Sequence, residues 1–174
     1  MLDGKTIILG VTACSPAIKS LDLIKALKKL GAEVHVVMTP NAVNFVSPLL
    51  VQREAGTPLQ LEQFELPKAF DQNHKSLSVQ ADLLLIAPAS ANTLGKAANG
   101  IGDNLLSTKV LSVNTPIVVA THINPIMYKK ASVQRNVKQL KEDGFIFVDN
   151  GDKEKPSKFP SIEKIVETVK AVLV

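Results

Sequence analysis

Apolar positions in this chain fall into short solid runs, and between the runs they recur with a helical beat. Thr6-Ile7-Ile8-Leu9-Gly10-Val11, Val34-His35-Val36-Val37-Met38, Leu83-Leu84-Leu85-Ile86-Ala87 and Ile117-Val118-Val119-Ala120 are apolar almost without interruption. Strands buried on both faces of a parallel sheet have this pattern. A shorter run, Phe145-Ile146-Phe147-Val148, predicts a last strand. After the first run, Ile18, Leu21, Ile24, Leu27 and Leu30 keep helical spacing, with Pro16 suited to the first turn and Gly31 to the stop. Further helices are predicted after Ser90, over residues 129–143 with Gly144 as terminator, and from Ser161 onward. Residues 51–73, with Gly56, Pro58 and Pro67, read as a loop-rich excursion, and 150–158 as a polar, flexible segment. Strands alternating with helices imply right-handed crossovers and a three-layer α/β fold around a central parallel sheet.

Composition narrows the picture a little. At 174 residues the chain is one domain's worth, residues 1–174, and 45% hydrophobic with 21% charged residues is an ordinary globular balance. A single cysteine, Cys14, excludes an internal disulfide and a cysteine zinc cage, so no metal site and a reducing, cytoplasmic setting are expected. The opening Met1-Leu2-Asp3-Gly4-Lys5 is unlike a signal peptide, and no apolar run reaches about eighteen residues, so no membrane association is expected. The formal charge of +4 is spread over scattered lysines without interleaved aromatics. A nucleic-acid partner is therefore not expected.

The chemistry gathers where the apolar runs end. Leu83–Ala87 breaks into Pro88-Ala89-Ser90-Ala91-Asn92-Thr93, as when a buried strand delivers a loop to the carboxyl edge of a sheet, the edge where open α/β folds bind ligands. Ser90, Asn92 and Thr93 offer hydroxyls and an amide, Ala89 and Ala91 let backbone approach a flat ligand, and the following helix start favours an anion. An ordinary helix cap explains the same residues equally well. Gly10-Val11-Thr12-Ala13-Cys14 lacks the G-x-G-x-x-G spacing, so it is not a dinucleotide fingerprint. Thr12 and Ser15 can still hold a phosphate, and Thr39 and Asn41 reach the same edge. His35 reads as structural and Cys14 as a small buried residue. On the residues alone, His74 is a surface histidine.

Pro88-Ala89-Ser90-Ala91-Asn92-Thr93, with Asn99-Gly100-Ile101-Gly102-Asp103-Asn104-Leu105-Leu106 after it, closely resembles the signature of the flavin-dependent cysteine decarboxylase family, over roughly residues 4–150. That family includes phosphopantothenoylcysteine decarboxylase and the lantibiotic peptidyl-cysteine decarboxylases. The resemblance implies a Rossmann-like (flavodoxin-like) fold and FMN as cofactor. It assigns the flavin to Thr12, Ser15, Thr39, Phe45, Ala89, Ser90, Asn92, Thr93, Asp103 and Asn104. His74, eight residues before Asp82, matches the family's catalytic histidine, although Lys75 stands where the family has an apolar residue. Thr121-His122-Ile123-Asn124-Pro125-Ile126-Met127-Tyr128 is similar to the second signature, Pro-x-Met-Asn-x-x-Met-Trp. Asn124, which grips the substrate carboxylate in the family, and Met127 are kept. Tyr128 stands for the tryptophan, Thr121 and Ile123 depart, and His122 is a further polar candidate in the substrate pocket.

Phosphopantothenoylcysteine decarboxylases carry an Ala-Cys-Gly-Asp clamp whose cysteine returns a proton during re-reduction of the enethiol, and the corresponding interval here, Asn150 to Pro160, is shorter and has no cysteine. The lantibiotic enzymes also lack that cysteine and stop at the enethiol. The resemblance thus implies oxidative decarboxylation of a cysteinyl carboxylate, on a peptide C-terminal cysteine or phosphopantothenoylcysteine, in a homo-oligomer (a trimer or a dodecamer). A non-catalytic flavin-binding regulatory subunit and a flavin prenyltransferase-like enzyme of the same fold are the alternatives.

Overall fold

The computed structural model describes residues 1–63 and 80–174. Its strands are β1 (Thr6–Val11), β2 (Glu33–Met38), β3 (Leu83–Ala89), β4 (Ile117–Thr121) and β5 (Ile146–Phe147). The described α-helices are α1 (Ser20–Lys29), α2 (Pro48–Ala55), α3 (Ala91–Ala98), α4 (Leu105–Ser112), α5 (Pro125–Tyr128), α6 (Ala131–Glu142) and α7 (Ile162–Leu173). The sheet runs β2-β1-β3-β4-β5 with every pair parallel. This is the flavodoxin-like order, whose direction of winding reverses between β1 and β3.

Alternation along the strands builds the three layers. Ile7, Leu9 and Val11 of β1, with Val34, Val36 and Met38 of β2 and Leu83 and Leu85 of β3, pack against Leu23, Ile24 and Leu27 of α1, Val51 of α2, and Ile165 and Val169 of α7. Ile8, Val37, Leu84, Ile86 and Val119 face the other way, onto Leu94 of α3, Leu106 and Val110 of α4, and Val137 and Leu140 of α6. Both faces are apolar because both are covered, which is why these runs read as solid rather than alternating. At Gly10 an added Cβ would stand 2.5 Å from Leu106 Cδ1. The missing side chain lets α4 lie directly on β1.

Several expectations change. Residues 51–55 are helix, not loop: Val51 and Ala55 enter the core, the Lys28 ammonium donates to the Glu54 and Ala55 carbonyls at 2.8 and 2.9 Å, and Gly56, at φ +73°, ends α2. Residues 58–63 form no helix or strand, with Gln60 alone bridged to Val37. Pro16 opens a 3₁₀ turn (Ser15–Lys19) that precedes α1. The helix expected over 129–143 is α6, which starts at Ala131, and the separate short α5 precedes it, stopping at Tyr128. The last strand is only two residues, though the Val148 N–H still reaches Val119 O at 2.9 Å.

Residues 150–158 form a tied loop rather than a flexible one. The Asn150 amide donates to the carbonyls of Lys155 and Lys158, both at 2.8 Å. Asp152 accepts from the N–H groups of Glu154 and Lys155, and Lys164 Nζ donates to Asn150 O at 2.8 Å. Asn and Asp side chains satisfying nearby backbone give such a segment its shape without strand or helix.

Candidate active site

The carboxyl ends of β1 and β3 meet at the point where the winding reverses, and side chains tie them together there. Pro88 has no N–H, and the β3–β4 register slips between Ile86 and Ala89. Thr12, 1% exposed, closes the gap: its hydroxyl donates to Pro88 O at 2.7 Å and accepts from the Ser90 N–H at 3.0 Å. The His122 N–H donates to Ala89 O at 3.0 Å, and the Cys14 thiol donates to His122 O at 3.5 Å. The loops after β1, β3 and β4 thus form one floor.

Above it lies a cleft of about 940 Å³, lined by these loops, the turn after β2 and the 155–158 turn. That volume suits a cofactor together with a small substrate. Ser15, Thr39, Phe45, Ser90, Asn92, Thr93, Asp103, Asn104, His122, Asn124 and Met127 all line it, so eleven of the expected contacts share one cavity. Thr12 and Ala89, expected at the cofactor, lie beneath the wall instead. Thr12 spends its hydroxyl on Pro88 and Ser90, and fully buried Ala89 supplies its carbonyl to His122. Their role is to position the floor. His74 lies outside the described residues.

Each polar group on the wall is set by local structure. Ser90 caps α3, its Oγ accepting from the Thr93 N–H at 3.2 Å. Asn104 caps α4 in a reciprocal box with Ser107. Lys96 Nζ sits 2.8 Å from the Asp103 carboxylate, and this contact, aided by Ser107, holds the Asp103 carboxyl below its usual range. Phe45 is 46% exposed and, with Pro40, Ala91 and Met127, gives the cleft an apolar flank. His122 Nε2 is 3.2 Å from Ser15 Oγ, while its buried Nδ1 has no partner. Burial and, second, the Lys19 ammonium push the imidazole below its ordinary pKa. Burial pushes the Cys14 thiol up, only partly offset by Thr12.

Asn124 has the most informative geometry. Its Oδ1 caps α5 by accepting from the Ile126 N–H at 2.9 Å. With the oxygen turned to the Ile126 N–H, the exposed amide leaves both N–H donors free for a ligand. Ile123, in place of the family's methionine, is buried in the core, and its N–H and carbonyl pair with Ser157 at 3.0 and 2.8 Å. That pairing brings Lys155, Ser157 and Lys158 to the wall. Sequence reasoning missed these three, along with Lys96. The one local signal was Pro156 next to Ser157, a turn marker, and the docking partner is 34 positions away.

Among the described residues no His, Cys, Asp and Glu group is placed to hold a metal, and no helix is long and apolar enough to cross a membrane.

A doubly wound sheet with a hydroxyl-, amide- and aromatic-lined cleft at its switch point defines a binder of a flat, phosphorylated cofactor. The chain belongs to the Flavoprotein family, whose profile matches residues 1–174. It is 38% identical over 143 residues to the coenzyme A biosynthesis bifunctional protein CoaBC of Vibrio vulnificus (strain YJ016), covering 82% of this chain and 36% of that protein. The chain thus spans about a third of the length of the curated relatives it matches. Among solved structures, the FMN-dependent cysteine decarboxylase SpaF superposes with a TM-score of 0.85 at 31% identity, covering 99% of this chain and 97% of that one. A PPC decarboxylase mutant superposes with a TM-score of 0.80 at 27% identity, covering 96% of each chain.

Proposed function

We propose that this chain is an FMN-dependent cysteine decarboxylase, converting a cysteinyl carboxylate oxidatively to an enethiol, with a peptide C-terminal cysteine or phosphopantothenoylcysteine as substrate. The observation that carries the reading is Asn124: a capping amide that keeps both N–H donors free on the wall of a cofactor-sized cleft is matched to a carboxylate.

The wall also fits FMN. Hydroxyls at Ser15 and Thr39 offer donors to its phosphate, and Phe45, Ala91 and Met127 offer apolar surface to its ring. FMN held there would supply the two-electron oxidation of the cysteinyl CH2–SH unit to a thiocarbonyl, which accepts the electron pair left on the neighbouring carbon when CO2 departs. Asn124 holds the carboxylate against that unit, so the two groups meet in one orientation. His74, by resemblance, takes the thiol proton. Cys14 is poorly suited to return a proton to the product, since it is buried, raised in pKa and engaged with His122 O. With no cysteine in 150–160 either, the product is the enethiol.

Exposed Leu49, Leu50 and Ile126 supply apolar surface for the homo-oligomer, a trimer or dodecamer, that the reading includes, and the lone reduced cysteine suits a cytoplasmic setting. The test is anaerobic mixing of the FMN-loaded protein with phosphopantothenoylcysteine and, separately, a cysteine-ended peptide. Flavin bleaching matched one-to-one by CO2 release, and abolished by His74→Asn, is expected. A protein that binds no FMN, or whose flavin no cysteinyl substrate bleaches, contradicts the reading.

A further inference from the structure

His122 has no task in the account so far. Its backbone is clamped from both sides: the N–H donates to Ala89 O at 3.0 Å, and the carbonyl accepts from the Cys14 thiol at 3.5 Å. The next residue, Ile123, is buried and paired twice with Ser157. The ring therefore starts from a fixed point after β4 and reaches the loop after β1, two strands away in the sheet order. There its Nε2 stands 3.2 Å from Ser15 Oγ. Ser15 is exposed on the cleft wall, so its hydroxyl can touch the ring and a ligand at once.

The direction of that hydrogen bond follows from the other ring nitrogen. Nδ1 is buried and has no hydrogen-bond partner among the described residues. A proton there would be an N–H donor shut away from water with no acceptor, a costly arrangement. A neutral imidazole carries one proton, and the nitrogen that keeps it is set by the bonds the two nitrogens make. Nε2 has an acceptor in Ser15 Oγ, so the proton belongs there. The cationic ring would need both protons, and burial together with the Lys19 ammonium disfavours it. Nε2–H thus donates to Ser15 Oγ, and a hydroxyl that accepts from a neighbour keeps its own O–H free. The opposite tautomer would spend the Ser15 proton on the ring and turn lone pairs to the cleft.

We infer that His122 is a positioning residue for the cofactor: by donating to Ser15 it leaves the Ser15 hydroxyl as a donor to the FMN phosphate, and so raises the preference of the cleft for FMN over unphosphorylated riboflavin. The inference rests on the flavin reading, with Ser15 at the phosphate, and adds to it a residue that acts through another. A phosphate monoester presents strong acceptor oxygens and a charge of about −1.5 to −2 at pH 7. A donor facing it gains a charge-assisted hydrogen bond, whereas an outward lone pair is repelled. Direct contact of His122 with a ligand has little to offer, since Nε2 is engaged and Nδ1 is buried. His122 thus has its duty towards the cofactor rather than the substrate.

The test is a double-mutant cycle between His122 and Ser15, read as flavin affinity and independent of turnover. Flavin-stripped protein is titrated with FMN and, separately, with riboflavin by quenching of flavin fluorescence, and the ratio of the two dissociation constants isolates the phosphate. His122→Leu is expected to lower the preference for FMN about tenfold, the scale of one hydrogen bond to a charged group, and to leave riboflavin affinity unchanged. Ser15→Ala should lower it at least as much, and His122→Leu added to Ser15→Ala should cost nothing more. His122→Gln, whose amide nitrogen can stand where Nε2 does, should keep most of the preference. A melting curve beside each titration shows that the variant is folded. Should His122→Leu not fold, His122→Asn, too short to reach Ser15, takes its place in the cycle. A preference that survives either single variant, an equal loss for riboflavin, a loss that persists on top of Ser15→Ala, or a glutamine variant no better than the leucine one each overturns the inference while the flavin reading stands. A wild-type protein that binds neither flavin contradicts the flavin reading itself, and the inference with it.

Discussion

With its carboxamide oxygen held by the Ile126 N–H, Asn124 separates two duties that a substitution can pull apart. Aspartate is as good a helix cap as asparagine but replaces the two outward donors with negative charge. Asn124→Asp is therefore expected to keep its melting temperature and its flavin while losing about 100-fold in kcat/KM, as a charge-assisted hydrogen bond becomes like-charge repulsion. Steady-state kinetics beside a thermal melt check this. Retained activity would remove Asn124 from the carboxylate. His122 gives a pH dependence. Its folded pKa lies below the unfolded value, about 6.5, so the unfolded chain binds the proton more readily. Its contribution is thus intact above that value, and stability falls as pH drops below it toward the folded pKa. The melting temperature of the wild type should fall more between pH 7.5 and about pH 5.5 than that of His122→Gln, which lacks the titrating ring. At this scale the sequence showed which residues are polar and near strand ends, but not which hydroxyls are already engaged. Thr12 and Ser15 look alike in the chain. Only the pairing of β1 with β3 shows that one is a clasp under the floor and the other lines the wall.

At the scale of elements, the clasp makes a prediction of its own. Thr12→Val preserves shape but leaves the half-buried Ser90 N–H without its acceptor and Pro88 O without the hydroxyl donor. A loss of about 2 kcal/mol is expected from denaturant titration, with weaker FMN retention because the α3 start is no longer tied to β1. Unchanged stability would show that the floor does not depend on Thr12. The four strands that both layers cover were legible in the chain because full burial leaves an unbroken apolar run. Two elements were not. α2 is only eight residues long, and its buried contacts, Val51 and Ala55, one turn apart, are too few to stand out against Gly56 and Pro58. The 150–158 loop is held by side-chain-to-backbone bonds and by Ser157 reaching Ile123, and composition records none of these.

For the whole molecule, the strand order does the assembling. Because β1 and β3 are neighbours while the chain between them departs to β2 and returns, loops from residues 12–15, 39–45, 88–93 and 121–127 converge on one edge. The fold, and the part of the cleft wall after β3, were both readable from the first signature, whose residues follow a strand directly. The opposite side of the cleft was less so, since the 155–158 turn comes from far along the chain. On the function we propose, this edge carries out an oxidative decarboxylation of a cysteinyl carboxylate. The most direct test is the product mass after incubation of the FMN-loaded protein with phosphopantothenoylcysteine or a cysteine-ended peptide. A substrate lightened by CO2 plus two hydrogens is the predicted result. Loss of CO2 alone would show that the enethiol is reduced without a clamp cysteine, against the argument from Cys14 and residues 150–160, and an unchanged mass with every cysteinyl substrate would contradict the account as a whole.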